Sequence, residues 1–441
     1  MVDAAPFHAL RYDPRLTGDP VSTSAPAYSA LERFAYAAHR AASPYTVLQL
    51  IVPDAGSLPG GSPEGRYARA GAAFARMRRT GVLVEEPRAA FFRYEEHELR
   101  HGAPAVQQGI LAAVALDPPG IRRPAMPCIL THEEVEPERV AARLERLRAV
   151  PADLSPVFAL YSGGSKDLRA LLAEPPHSPP IAAFTDEAGV DHRVWRLDED
   201  AEIEIVIEGL REVRVVIADG HHRYASAVAY RDALHSAGPS ADPDPAWTRT
   251  LMYLVPVSGR TCGPDVRPIH RLVRSWRPGA GDQLARDFRI ESVEGPLRPA
   301  LEADAGTALG LRLANGVRLI LRPRDEAALR ARLPAGHSPI WQALDAAVLD
   351  YAVLPWLGAE QVEARSDAAA AAAEVEAGRA AALFLLRPTD ARTVLAIAEH
   401  GELMPAKTTW FRPKPRVGLI MRALHPPERL PRTTRSPTVG M

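Results

Sequence analysis

Residues Val215-Val216-Ile217-Ala218-Asp219-Gly220-His221-His222-Arg223-Tyr224 constrain the fold more than any other stretch of the chain. An apolar β-type segment halts at Asp-Gly, and His221, His222 and Arg223 then open a helix that continues through Ala225-Ser226-Ala227-Val228-Ala229-Tyr230. The pattern predicts a strand, a tight turn and a helix N-terminus. Unpaired N–H groups at such a terminus point outward, and an arginine fork beside them suits phosphate oxygens. The simpler alternative is an ordinary Asp-Gly turn with Asp219 as a helix cap. Four polar groups in five positions, behind a strand with no charge from Val215 to Ala218, favour a ligand. Strand ends that feed helices are where α/β proteins gather their ligands.

The 441 residues suit two or three domains, and 46% hydrophobic residues can fill sizeable cores. Lys plus Arg (53) nearly balances Asp plus Glu (54), so nothing attracts nucleic acid or anionic membrane globally and a charged ligand must be met locally. Cys128 and Cys262 stand far apart in no metal spacing, which argues against a structural disulfide or zinc site. The N-terminus lacks the basic region and apolar run of a signal peptide, and no stretch of about 18 apolar residues occurs. A cytoplasmic protein without membrane or nucleic-acid partner is expected.

Periodicity predicts helices near 28–42, 63–80, 134–150, 324–332 and 341–356. Strands are expected at 45–52, 81–84, 89–95, 108–116, 156–161, 181–184, 203–207, 213–218, 250–256, 309–313, 317–322, 382–386 and 416–422. The class is α/β (α+β) with a mixed sheet. The regions expected are an N-terminal α/β part (1–118), a part holding the Asp219–Arg223 turn (119–262), an inserted or lid-like part (263–345), a C-terminal part contributing the Lys407 segment (346–425) and a flexible tail (426–441).

Other segments carry candidate chemistry. His132 and Glu133 open the 134–150 helix, which also carries Arg143; Glu133 can act as general base if held near a hydroxyl, or the acidic residues can simply oppose the helix dipole. Lys407, Thr408, Thr409, Arg412 and Lys414 fall within eight residues stiffened by Pro405 and Pro413, a phosphate clamp or a basic solvated loop. His270 and Arg271 form a third cationic cluster. Tyr161-Ser162-Gly163-Gly164-Ser165-Lys166 lacks the spacing of a phosphate loop, and GxSxG, HExxH and a post-strand GxGxxG are absent.

Taken in order, Phe7-His8-Ala9-Leu10-Arg11, Ser43-Pro44-Tyr45, His132-Glu133 with Arg143, Pro156 to Tyr161, Asp219 to Tyr224, Pro268-Ile269-His270-Arg271 and Met404 to Lys414 resemble the family catalogued as domain of unknown function 1015. The Asp-Gly-His-His-Arg element also resembles the phosphate-binding turn of the ParB/sulfiredoxin-like fold, some members of which are free L-serine kinases using ADP or ATP. The resemblance implies Glu133 as base, Asp219 as magnesium or hydroxyl partner, and Gly220, His221, His222, Arg223 and Lys407 around nucleotide phosphates. The chain departs from the family pattern at Val135 and Ala142, where a threonine and an aspartate are expected.

The leading expectation is therefore a small-molecule kinase that takes a phosphoryl group from ATP or ADP with magnesium and gives it to a hydroxyl, free L-serine first. Catalysis of that kind consists mostly of positioning and charge neutralisation, for which scattered cations and carboxylates are the parts. A nucleotide-binding switch, or an accessory protein with a decayed site, is the alternative, and homodimerisation is left open.

Overall fold

The computed structural model describes residues 2–27, 33–51, 63–100, 102–117, 127–257, 263–304, 306–314 and 316–425. The expected tail and Cys262 lie outside them.

The mixed α/β class holds. A nine-stranded sheet runs in spatial order Ile129–Leu130, Val215–Asp219, Val157–Tyr161, Arg249–Pro256, Ala103–Ala115, Phe91–Arg100, Asp191–Leu197 and Ala182–Thr185, with Ala4–Ala5 paired to the 103–115 strand. The 215–219 strand is parallel to 129–130 and antiparallel to 157–161. Its uncharged run has a direct cause. Val215 and Ile217 enter one core with Phe91 and Leu254, while Val216 and Ala218 enter another with Phe158 and Phe411. Both faces are covered, so alternation of side chains demands apolar residues at every position.

The helix Pro137–Ala149 packs against both His221–Ala237 and Pro63–Arg79. A second, six-stranded antiparallel sheet runs in the order Phe288–Ser292, Arg318–Pro323, Leu309–Leu313, Ala382–Leu385, His270–Ser275 and Glu360–Arg365. It takes strands from both sides of residue 345 around Val273, Leu321, Leu349 and Phe384. A two-stranded ladder, Asp265–Pro268 with Thr409–Arg412, follows the chain between the two sheets.

Four sequence expectations fail locally. The 45–52 strand is instead a helical turn, Leu48–Ile51: the Ser43 and Thr46 hydroxyls accept from the N–H groups of Tyr45 and Leu48 at 3.1 and 3.4 Å and bend the chain. The 203–207 strand is part of a helix, Asp200–Leu210, started by a capping box between Glu199 and Glu202. Gly209 lets that helix press close, since a Cβ there would lie 2.5 Å from that of Leu168. The 341–356 helix is broken into Pro339–Gln342, Asp345–Ala347, a π-helical stretch Val348–Val353 and Leu354–Leu357. Pro355 has no N–H to return to the Tyr351 carbonyl, which loosens the ladder at that point. The 416–422 strand shrinks to Met421–Ala423, because the chain first passes through Gly418 at φ +81°, tight against Val47.

Candidate functional site

The strands Ile129–Leu130 and Val215–Asp219 are parallel, so their carboxyl ends open on the same side of the sheet and release Thr131–Glu133 next to Asp219–Arg223. His132 is fully buried. Its Nδ1–H donates to the Ile217 carbonyl at 2.7 Å, beside the bulge between Ile217 and Asp219. Its backbone N–H donates to His221 Nε2 at 3.4 Å, and the two rings meet edge-on with centroids 4.7 Å apart. Thr409 Oγ1 stands 3.4 Å from His132 Nε2, and the backbone N–H of Met404 donates to the His132 carbonyl at 2.8 Å. Residues 277 apart in sequence are joined this way.

Burial pushes His132 down to about 4 and His221 well below its ordinary value, so both rings are neutral at pH 7. With Nε2 of His221 accepting, its proton sits on Nδ1, 3.9 Å from Glu133 Oε2. His222 Nε2 accepts from the backbone N–H of Glu136 at 3.0 Å and so pins the start of the 137–149 helix.

Asp219 is the electrostatic centre. Arg223 Nη2 donates to Oδ2 at 2.5 Å, Lys414 Nζ donates to Oδ1, and Arg223 Nη1 also donates to the Ser155 hydroxyl. Burial raises the carboxyl, but Arg223 and Lys414 outweigh it and hold it down at about 2. Gly220 makes the geometry attainable: it sits at φ +101°, and a Cβ there would lie 2.8 Å from Arg223 Nε, which folds back over it.

Glu133 is one quarter exposed. Burial raises its carboxyl, Lys407 and Lys414 pull it down, Asp219 pushes it up, and the balance leaves it above the usual range. The charge of Lys407 acts on Glu133, His221 and His222 alike. Arg143, on the adjoining helix, is brought down to about 10 by burial and by Arg223.

Thr408, His270 and Arg271 do not join this group. The Thr408 hydroxyl donates to the Pro405 carbonyl at 2.6 Å within its own loop, and His270 Nδ1 accepts from the backbone N–H of Leu386 at 3.1 Å. Arg271 is a buried support. It grips Asp350 with two bonds of 2.9 and 2.7 Å and donates to the Ala406 and Lys407 carbonyls at 3.0 Å each, while Lys407 itself sits at φ +55°.

Two carboxylates, Asp219 and Glu133, face this space, but each Asp219 oxygen is already held by a cation. Among the described residues no group of three or more His, Cys, Asp or Glu could hold a metal ion. The donor set does not fit a magnesium site built by the protein.

Sequence reading missed Ser155, which has no motif around it, and Gln107, whose Nε2 donates to Glu96 Oε2 at 2.6 Å and to the Pro413 carbonyl at 3.0 Å, steadying the residue before Lys414. It also left Arg146 unremarked, although that residue follows Arg143 at helical spacing. Among the described residues no helix is long and apolar enough to cross a membrane.

Solved structures similar to the chain include a free serine kinase in complex with AMP, at 14% identity over 64% of this chain and 83% of that one, with a TM-score of 0.31. SbnI with C-terminal truncation from Staphylococcus aureus matches at 14% identity over 68% and 82%, with a TM-score of 0.33. A conserved hypothetical protein from Pyrococcus furiosus matches at 14% over 66% and 90%, with a TM-score of 0.31. No curated protein matches the chain. The family model described as protein of unknown function (DUF1015) covers residues 4–347, more than half of the 441, and the chain belongs to that family.

Proposed function

We propose that the chain transfers a phosphoryl group from ATP or ADP to the hydroxyl of a small molecule, with free L-serine, the acceptor implied by the motif resemblance, as first candidate. The observation that carries this reading is the position of Glu133: a carboxyl of raised proton affinity, partly open to solvent, beside a helix N-terminus and the cations Arg223, Lys407 and Lys414. Donor phosphates would lie against the 220–223 backbone N–H groups and these cations. Glu133 would take the hydroxyl proton as the acceptor oxygen forms its bond to the terminal phosphorus. The bond from that phosphorus to the bridging oxygen breaks, and its electron pair leaves with the nucleoside phosphate.

In this reading Asp219 does not bind metal; it holds Arg223 and Lys414 in place. Magnesium enters only as the counter-ion the nucleotide carries, and no residue is assigned to it. His221 contributes a neutral N–H facing Glu133.

The test is phosphorus NMR with mass spectrometry on the purified chain with magnesium, ATP or ADP, and L-serine beside a panel of hydroxy amino acids. A new phosphomonoester that falls at least about a hundredfold in rate with Glu133→Gln, nucleotide binding being kept, is the expected result. Nucleotide binding with no product from any acceptor would replace the kinase with a nucleotide-dependent switch.

A further inference from the structure

The Pro137–Ala149 helix carries Arg139, Arg143 and Arg146 at steps of four and three, which puts them on one face. That helix lies against both the His221–Ala237 helix and the Pro63–Arg79 helix. Arg143 and Arg146 are close enough to Arg223, and to each other, for their charges to oppose. The nearby carboxylates are committed elsewhere: Asp219 to Arg223 and Lys414, Glu136 to Arg139 at 2.7 Å, and Asp153 to Arg422 at 3.1 Å. Arg146 Nη1 is buried and has no hydrogen-bond partner among the described residues. A buried guanidinium nitrogen without an acceptor is costly, and folded proteins usually complete such a group.

We propose that Arg143 and Arg146, together with Arg223, form a second oxyanion subsite that receives a phosphate or carboxylate group other than the one at the 220–223 turn. Planar guanidinium forks suit both kinds of group. Arg223 is the shared member, since it holds Asp219 at the turn while its charge also acts on Arg143 and Arg146. Under the phosphotransfer reading the two sources are a further phosphate of the donor and the carboxylate of the acceptor. That division rests on the reading, whereas the subsite itself does not.

The experiment uses the full chain and inorganic phosphate, with thermal melting and calorimetry as readouts. Phosphate should raise the melting temperature of the wild type, and Arg146→Met should weaken phosphate binding at least tenfold. Without phosphate, Arg146→Met should melt higher than the wild type, because it removes a buried charge that the attraction of Asp153 answers only in part. Phosphate binding is read without turnover, which separates this subsite from the question of phosphotransfer. Unchanged phosphate affinity in Arg146→Met, or a lower melting temperature without phosphate, would overturn the proposal. Should that variant fail to fold, Arg146→Lys, which keeps the charge and loses the fork, must weaken phosphate at least threefold. Titration with ADP and with L-serine then assigns the source: the ligand whose affinity falls in Arg146→Met is the one that carries the group.

Discussion

Lys414 donates to Asp219 from a position 195 residues further along the chain, and Arg223 holds the other oxygen of the same carboxylate. The 219–223 turn is therefore completed by a residue that local sequence could not associate with it. Asp219 is ionised in the fold down to about pH 2, against an ordinary aspartate value near ~3.9. A depressed carboxyl contributes stability above its unfolded value and loses it as pH falls through the folded one. The net depression should thus contribute about 2–3 kcal/mol at neutral pH, fading between about pH 4 and 2. Urea titrations across that range should show the loss in the wild type and its absence in Asp219→Asn, which starts out less stable.

In the proposed phosphotransfer the raised Glu133 carboxyl should set the acid side of the rate profile. A base is lost when protonated, so kcat/KM should fall as pH falls through a value above the ordinary glutamate figure of ~4.3. Replacing Lys407 with Met removes a charge that pulls the carboxyl down, and the limb should move to higher pH. A limb that stays put in Lys407→Met would separate Glu133 from the rate.

Glu96 is fully buried, with Gln107 Nε2 donating to it at 2.6 Å and the Tyr94 hydroxyl at 3.2 Å. Burial raises its carboxyl to about 8. The folded protein keeps this proton when the unfolded chain has shed it, so stability is lost as pH rises from ~4.3 through about 8. The loss should reach roughly 5 kcal/mol at pH 9, about half of it between pH 6 and 9, and Glu96→Gln should abolish it. Denaturation midpoints at pH 6 and 9 for both proteins decide the matter.

Arg271 adds no charge to the Asp219 group, yet it carries the carbonyls of Ala406 and Lys407. Arg271→Met leaves Asp350 and both carbonyls without their donor and should cost about 3–5 kcal/mol. Nucleotide affinity should drop together with stability. Full affinity in a folded Arg271→Met would show that the Lys407 segment is held by other means.

The turn itself was legible because several signals coincide there: a strand buried on both faces, Gly220 at positive φ, and histidines beginning a helix. Glu133 was legible only as a candidate, since its nearness to His221 depends on the parallel pairing of two strands whose partners stand 86 residues apart. Ile203-Glu204-Ile205-Val206-Ile207 misled because β-branched alternation describes a half-buried strand as well as this helix; the capping box at Glu199 and Glu202 was the deciding signal. Arg271 read as a possible ligand residue when it is a strut. Sequence cannot tell the two apart, because a buried arginine and a site arginine differ only in what faces them.

The join between His132 and Thr409 also sets an order of events during synthesis. A nascent chain of 400 residues already has the turn, Glu133 and the central sheet strands, but neither Lys407 nor Lys414. Asp219 and Arg223 must wait as an unfinished pair until that segment leaves the ribosome and enters between the sheets. The charged group is thus incomplete throughout most of translation, and its two lysines join it only once the chain has been made past residue 414.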